Sequence, residues 1–207
     1  MQSCDTHPKH TTHKSGACFH RKRTFHNLEE IVQDYIDWRR PCAKKELRYF
    51  KDLPNLPTAI CVAALAIGID EGKRHPHQRR IPEKKLERFR QRLARKRRLL
   101  RPSKTFSQLM QISEKAATGI WKNSELTVYD TTHRIGAYLR VRPDRVYLHA
   151  GTREGAKALD FKRNLPFILP SQLPKAFRRL KPYEIEDCLC IYKDDLELLR
   201  CRCVAQP

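Results

Sequence analysis

The side chains that a catalytic or binding site would use are concentrated in one stretch, from residue 124 to residue 159. It brings together an aspartate, an arginine, two histidines and three glycines: Asp130, Arg134, His133, His149, Gly136, Gly151 and Gly155. A carboxylate, a guanidinium and imidazoles this close in sequence could line a site. For His149, beside Gly151, we expect a packed, half-buried side chain, with a pocket-lining position as the alternative.

A helix must position Asp130 and Arg134. Ser124 is a good N-cap, and Glu125 places a negative charge in the first turn, where the helix dipole favours it. The apolar face follows from spacings of four, three and four between Val128, Thr132, Ile135 and Leu139, and Pro143 blocks continuation. Asp130 and Arg134 fall on the opposite face. They form either a surface ion pair, worth roughly 0.3–0.5 kcal/mol, or a pair whose Asp130 points into a cleft against another helical layer.

The segment Asp130-Thr131-Thr132-His133-Arg134-Ile135 resembles the D-T-H-V-x-R segment of the helix-hairpin-helix DNA glycosylases, the superfamily that includes endonuclease III. The resemblance implies a DNA-repair enzyme in which Asp130 is catalytic. A carboxylate suits that role because it stabilises the positive charge that develops on the sugar as the base leaves.

The hairpin that precedes the aspartate in that family is only partly matched. The nearest candidate is Thr118-Gly119-Ile120-Trp121, followed by Lys122, and it has one glycine where the family has two. It also lies closer to Asp130 than the family's hairpin lies to its aspartate. A second alignment makes residues 119–124 the hairpin turn and residues 126–139 its second helix. Asp130 is then not catalytic, and the unit is a clamp on the DNA backbone.

Composition indicates a polyanionic partner. The 207 residues include 43 Lys and Arg against 23 Asp and Glu, which gives a net charge of +20. Such an excess repels itself unless a polyanion is near, and nucleic acid is the usual one. An acidic membrane surface is the second choice. The longest apolar run, residues 59–69, is too short to span a membrane and predicts a buried helix, and the N-terminus lacks a signal-peptide core. We therefore expect a cytoplasmic protein without a membrane partner.

The cysteines and histidines do not predict a metal or any other cofactor. Eight cysteines in these charged surroundings do not resemble a small disulfide scaffold, which leaves free thiols or a metal site as the alternatives. Cys188, Cys190, Cys201 and Cys203 look paired, but Cys188 and Cys190 point about 200° apart on a helix. The iron–sulfur spacing of the endonuclease III family is absent. The Cys and His residues before residue 26 could accept zinc, but they fit no finger spacing. A disordered basic tail over residues 1–26 is the preferred interpretation.

Periodicity and prolines predict an all-α, multi-helix globular fold after this tail. Asn27 and Glu30 form a capping box for a helix over 27–39 that Pro41 ends. Further helices are expected at 43–50, 58–69, 83–101, 104–117, 153–160, 171–180 and 182–200, besides the central helix that starts at Ser124 and ends before Pro143. Residues 165–174 are interpreted as a connecting loop. Residues 144–150 are ambiguous, because Val146, Tyr147 and Leu148 favour a strand. Since no partner strand is evident, a short helix is the preferred interpretation. We divide the chain into an N-terminal helical layer, residues 27–117, and a helix-hairpin-helix-like region, residues 118–207.

The helix predicted over residues 83–101 is strongly basic. Leu86, Phe89, Leu93 and Leu100 form a narrow apolar stripe, so its cations should face outward. Like charges four residues apart, such as Arg88 and Arg92, lower the stability of a helix and suggest a bound polyanion. The predicted nucleic-acid-binding residues, from this helix, the loop before it and the central stretch, are Arg74, Arg79, Arg80, Lys84, Lys85, Arg88, Arg92, Arg95, Lys96, Lys122 and Arg134.

These observations predict a nucleic-acid-binding protein that grips phosphates, with DNA as the expected partner. Two alternatives are a glycosylase-like enzyme that uses Asp130 and a basic scaffold that binds RNA or an acidic protein. The sequence does not single out any protein partner.

Overall fold

The computed structural model describes residues 24–69, 73–75, 78–122 and 124–204. Most of the predicted basic tail, residues 1–23, therefore lies outside the described residues. The fold is all-α, as predicted, with one small two-stranded sheet. The chain forms two compact units, residues 46–141 and residues 24–45 together with 142–204. The division predicted from the sequence fell between residues 117 and 118.

The first helices run without interruption past a proline. Helix α1 (Leu28–Asp34) is capped by Asn27, which accepts a hydrogen bond from the Glu30 N–H, as predicted. A π-helical turn (Tyr35–Arg39) then leads into α2 (Arg40–Lys51). The prediction that Pro41 ends the helix was wrong. The Arg40 N–H bonds to the Tyr35 carbonyl, and this wider turn directly before Pro41 accommodates a ring that would clash in a regular α-helix.

The first unit is built around a packed group of helices. These are α3 (Leu56–Ala64), α4 (Glu83–Arg95), the short α5 (Arg97–Leu100), α6 (Phe106–Ala117) and α7 (Glu125–Leu139). Helix α7 packs against α3 and α6, and α4 packs against the same two helices. The predicted stripe of Leu86, Phe89, Leu93 and Leu100 is fully buried, so the orientation of the basic helix is confirmed.

Two helices of this unit are shorter than predicted. Helix α3 ends at Ala64 instead of residue 69, because Ala66 takes the left-handed conformation (φ 56°) and Ile67 pairs with Arg74 in an antiparallel bridge. The basic helix breaks at Lys96, whose backbone (φ −91°, ψ 6°) separates α4 from α5.

The end of α7 is a compact backbone motif. Arg140 is left-handed (φ 60°), its N–H bonds to the Ala137 carbonyl, and the Val141 N–H bonds to the Gly136 carbonyl at 2.8 Å. This is a Schellman arrangement with arginine where glycine is usual. A Cβ on Gly136 would lie 2.6 Å from the Val141 carbonyl oxygen, so the motif requires glycine there. The helix therefore ends four residues before Pro143.

The second unit contains a two-stranded sheet, of which the sequence indicated one strand as the less favoured alternative. Strand β1 (Val146–Tyr147) pairs antiparallel with β2 (Phe167–Ile168), with Val146 opposite Ile168. The preferred helix over 144–150 was wrong, and the alternative strand at Val146–Tyr147 is confirmed. Its partner lies in the segment that was interpreted as a connecting loop. Between the strands, α8 (Ala150–Lys157) begins after His149 and not after Thr152.

The rest of this unit is helical. Two 3₁₀ turns (Pro170–Gln172 and Lys175–Arg179) replace the predicted helix over 171–180. Helices α9 (Pro182–Ile191) and α10 (Lys193–Val204) follow, separated at Tyr192. The apolar stripe Ile185, Leu189, Tyr192, Leu196 and Leu199 is buried in the unit's hydrophobic core.

Candidate nucleic-acid interface

The outward face of α4 carries a row of cations. Leu86, Phe89 and Leu93 fix the buried side, so Lys84, Arg88 and Arg95 lie on the opposite side at spacings of four and seven. All three are exposed. Within the described part of the chain, none of them makes a hydrogen bond or an ion pair. We call Lys84, Arg88 and Arg95 the α4 cation row.

The two carboxylates of α4 do not neutralise this row. Glu87 accepts two hydrogen bonds from Arg90, of 2.7 and 2.5 Å, and this contact lowers the pKa of Glu87. Glu83 pairs with Arg74 at 3.1 Å. The row therefore keeps its full positive charge towards solvent.

Arg92 has a structural role on the same helix. Its Nη1 donates to the carbonyl oxygen of Ala116 at 3.2 Å and to that of Thr118. These carbonyls end α6, where a helix has acceptors without intrahelical partners and a partial negative charge. Arg92 holds the end of α6, and we leave it out of the interface.

The loop cations divide in a similar way. Arg79 and Arg80 are exposed, and Arg79 donates through Nε to the Arg74 carbonyl at 3.2 Å. Arg74 is partly buried. Its guanidinium pairs with Glu83 and donates a hydrogen bond to the Ile81 carbonyl. Residues 76 and 77, which lie between Arg74 and Arg79 in the sequence, are outside the described residues.

The remaining predicted lysines are Lys85, Lys96 and Lys122, and Lys122 follows Trp121, whose ring centre lies 5.3 Å from that of Phe89 on α4. Lys85 is exposed on α4, and Lys96 is partly buried at the α4–α5 break. Lys122 is exposed in the connection between α6 and α7, which also holds Gly119 in the left-handed conformation (φ 71°).

Arg134 lies in the interior of the first unit. Its side chain is 4% exposed, its Nε donates to Glu46 Oε1 at 2.9 Å, and its guanidinium lies 5.7 Å from the centre of the Phe50 ring. Such a side chain cannot reach a phosphate, so we also leave Arg134 out of the interface.

Asp130 belongs to the same buried polar network. Gln78, with no exposed surface, donates through Nε2 to Asp130 Oδ2 at 3.0 Å and accepts from Arg134 Nη1 at 3.2 Å. Its one amide thus joins both residues that the sequence placed on this face of the helix. Neither sequence interpretation described this arrangement, in which Arg134 is buried and Asp130 is partly exposed.

Glu46 completes the network. Burial alone would raise the pKa of its carboxyl, but the positive charges of Arg134 and then of His75 outweigh burial and lower it. His75 Nε2 lies 3.8 Å from Glu46 Oε2. No local sequence signal connects Glu46 with Arg134, because 88 residues separate them.

The second unit holds a separate polar contact at the start of α8. His149 is 2% exposed, and its Nε2 lies 2.5 Å from Glu186 Oε1 on α9. Its backbone N–H donates to Thr152 Oγ1 at 2.6 Å. The packed position expected for His149 is confirmed, and the histidine is more deeply buried than half.

The described residues contain no group of three or more His, Cys, Asp and Glu side chains that could hold a metal ion. Cys61, Cys188, Cys190 and Cys201 carry free thiols, and Cys42 is disulfide-bonded. As the helix geometry required, Cys188 is buried while Cys190 is partly exposed. None of the described helices has the length and apolar character needed to cross a membrane.

Comparison of the chain with protein families, with curated proteins and with solved structures finds no match. The fold and surface define an all-α protein with a basic helix exposed on one side. The resemblance of residues 130–135 to the glycosylases stays a prediction.

Proposed function

We propose that this protein binds a nucleic acid, and specifically duplex DNA, through the outward face of α4. The observation that carries the proposal is the α4 cation row, in which Lys84, Arg88 and Arg95 are exposed on one side of a packed helix without acidic partners among the described residues. Lys85, Arg79, Arg80 and Lys122 extend the positive surface. A cytoplasmic location belongs to the same proposal.

The row has the dimensions of a phosphate-binding surface. Lys84 and Arg95 are eleven residues apart, which is roughly 16 Å along a helix, or the rise of about five base pairs. Lys84 and Arg88 are four residues apart, a spacing at which like charges lower helix stability, and bound phosphates would offset that repulsion. Each phosphate neutralised by a cation releases a counterion, so binding should weaken steeply with salt.

DNA is favoured over double-stranded RNA by the shape of the exposed element. The major groove of B-DNA admits an α-helix, whereas side chains cannot read the deep, narrow major groove of A-form RNA. The row is presented by a regular helix of thirteen residues.

The decisive experiment is a salt titration of binding to a labelled duplex with the triple variant Lys84→Gln, Arg88→Gln, Arg95→Gln. The slope of log affinity against log salt should fall by roughly 0.9 for each phosphate that the variant no longer neutralises, about two to three units in total. The matched control is Lys162→Gln, Lys175→Gln, Arg178→Gln, which removes the same charge from exposed positions of the second unit.

Equal reductions of the slope in both triple variants would mean that net charge, and not this helix, drives binding. Absence of wild-type binding at low salt would refute the proposal. Strong binding to RNA or to an acidic protein, with weak binding to duplex DNA, would support the basic scaffold in its place.

Asp130 motivates a second candidate function, base excision. Its carboxylate is partly exposed and is oriented by the Gln78 amide, as a catalytic group must be oriented. The test is base release from damaged duplexes, revealed by alkali cleavage of the strand. Release by the wild type that disappears in Asp130→Asn, with binding intact, would establish the activity. Binding without release would leave Asp130 as a structural residue.

A further inference from the structure

Leu99 is an exposed apolar side chain in a cationic environment. Among the described residues, the exposed large apolar side chains are Trp38, Leu99, Leu169 and Leu198. Leu99 is 57% exposed and lies in the segment 96–104, KRRLLRPSK, which has five cations and no acidic residue. Arg97, Arg98 and Arg101 around it are themselves exposed.

The backbone that presents Leu99 is anchored. Its N–H bonds to the Lys96 carbonyl at 2.9 Å, and its own carbonyl accepts from Ser103 Oγ at 3.2 Å. The next residue, Leu100, is fully buried, and α5 packs against α4 and α6. Leu99 is therefore exposed on α5, a hydrogen-bonded and packed element of the first unit, and not on an irregular loop.

We propose that Leu99 inserts between stacked base pairs of bound duplex DNA while Arg97, Arg98 and Arg101 contact the flanking phosphates. This inference rests on the proposed function and deepens it. Proteins that bend DNA commonly insert an apolar side chain at a base step, partly unstack it and form further contacts with the kinked duplex. In duplex DNA the space between stacked bases is apolar and the phosphates on either side are anionic. A leucine surrounded by guanidinium groups complements both features.

A membrane surface fits these observations less well. The large apolar residues of α4, Leu86, Phe89 and Leu93, are fully buried, so this helix has no apolar face to place in a bilayer. One leucine is a small anchor, since even a myristoyl chain gives only marginal membrane binding. Among the described residues, α4 and α5 expose no other large apolar side chain, which likewise disfavours an apolar protein groove as the partner.

The test uses the full chain and duplexes that carry 2-aminopurine at successive positions, because the fluorescence of this base rises when it unstacks. Wild-type protein should raise the fluorescence at one base step. Leu99→Ala should abolish the rise and weaken binding by up to about tenfold, with an unchanged salt dependence. The matched control is Leu198→Ala on α10, since Leu198 is 58% exposed. It should behave as the wild type.

The outcomes separate this inference from the function on which it rests. Salt-dependent binding without a fluorescence rise, or with a rise that Leu99→Ala preserves, would overturn the wedge and leave the α4 interface standing. Absence of duplex binding would overturn both. Leu99-dependent binding to vesicles of phosphatidylserine and phosphatidylcholine, without a fluorescence rise on DNA, would assign Leu99 to a membrane and overturn the inference.

Discussion

Arg134 and Glu46, 88 residues apart in the sequence, form an ion pair in the first unit, with 2.9 Å between Nε and Oε1. The arginine is almost fully buried, whereas the Glu46 side chain keeps 28% of its surface exposed. Gln78 ties the arginine to Asp130. An arginine that the sequence assigned to a surface is thus a link between α2, α7 and the loop before α4.

Removing this arginine should destabilise the fold. Arg134→Met removes the guanidinium that Glu46 and Gln78 both contact, and breaking a buried pair on one side costs about 3–5 kcal/mol. Because Glu46 can regain water, we expect a decrease of roughly 2–4 kcal/mol in the free energy of unfolding, measured by urea denaturation. Arg88→Met removes the same group from an exposed site and should change stability by less than about 0.5 kcal/mol. Equal effects would contradict the structural role of Arg134.

The same pair predicts a pH dependence. The pKa of Glu46 lies below its ordinary value of 4.5, because the charges of Arg134 and His75 outweigh the effect of burial. A group whose pKa is depressed in the folded state contributes stability that is present above the unfolded pKa. That contribution disappears as the pH falls through the folded pKa.

The measurement compares wild type with Glu46→Gln from pH 7 to about pH 2, the acid range in which carboxyl groups titrate. Wild type should be the more stable near neutrality, and the difference should shrink once the pH falls below 4.5. A difference that stays constant over the range would show that the charge of Glu46 does not stabilise the fold.

Arg92 should matter for stability and not for binding. It donates to two carbonyls at the end of α6, and hydrogen bonds to charged groups contribute roughly 1.5–3 kcal/mol. Because Arg92 is partly exposed, Arg92→Gln should lower the free energy of unfolding by about 1–2 kcal/mol. The salt slope of DNA binding should not change, unlike that of Arg88→Gln. A reduced slope in Arg92→Gln would return this residue to the interface.

The sequence predicted the helices and their exposed sides correctly where the signal was local. Leu86, Phe89 and Leu93 recur at helical spacing, and that spacing alone fixed which side of α4 is exposed. Periodicity could not show that Arg92 reaches the end of another helix, nor that Glu46 meets Arg134, since both contacts depend on tertiary packing. The residues of strand β1 favoured a strand, but the helix was preferred because no partner was evident. That partner lies about twenty residues away in a proline-rich segment.

Backbone chemistry accounts for other departures. Pro41 predicts a helix end only if the preceding turn is α-helical, and a π-helical turn removes that condition. Arg140 ends α7 in a conformation that favours glycine, so no glycine marked the position. In both cases the surrounding backbone holds a residue in a conformation that its type disfavours.

The crossing of α8 and α9 depends on Gly155. A Cβ there would lie 2.2 Å from the Leu189 carbonyl oxygen and 2.9 Å from its carbon, both of them backbone atoms that cannot move aside alone. Gly155→Ala should therefore force the helices apart and lower the free energy of unfolding by about 1–3 kcal/mol.

Gly151→Ala is the comparison for this prediction. Its Cβ would approach the Cys190 side chain, which can rotate away. We expect a smaller decrease in stability in denaturant titrations. Equal stability of Gly155→Ala and the wild type would mean that the two helices do not cross this closely.

The left-handed Arg140 makes an opposite prediction, a stabilising substitution. A non-glycine residue in this conformation costs of order 1–3 kcal/mol, whereas glycine adopts it freely and carries a smaller penalty from the entropy of the unfolded chain. Arg140→Gly should raise the free energy of unfolding by about 0.5–1 kcal/mol, observed as a higher urea midpoint with an unchanged slope. Arg140→Ala removes the same charged side chain but keeps a Cβ, so it should not stabilise. If both variants stabilise equally, relief of charge repulsion and not of backbone strain is the cause.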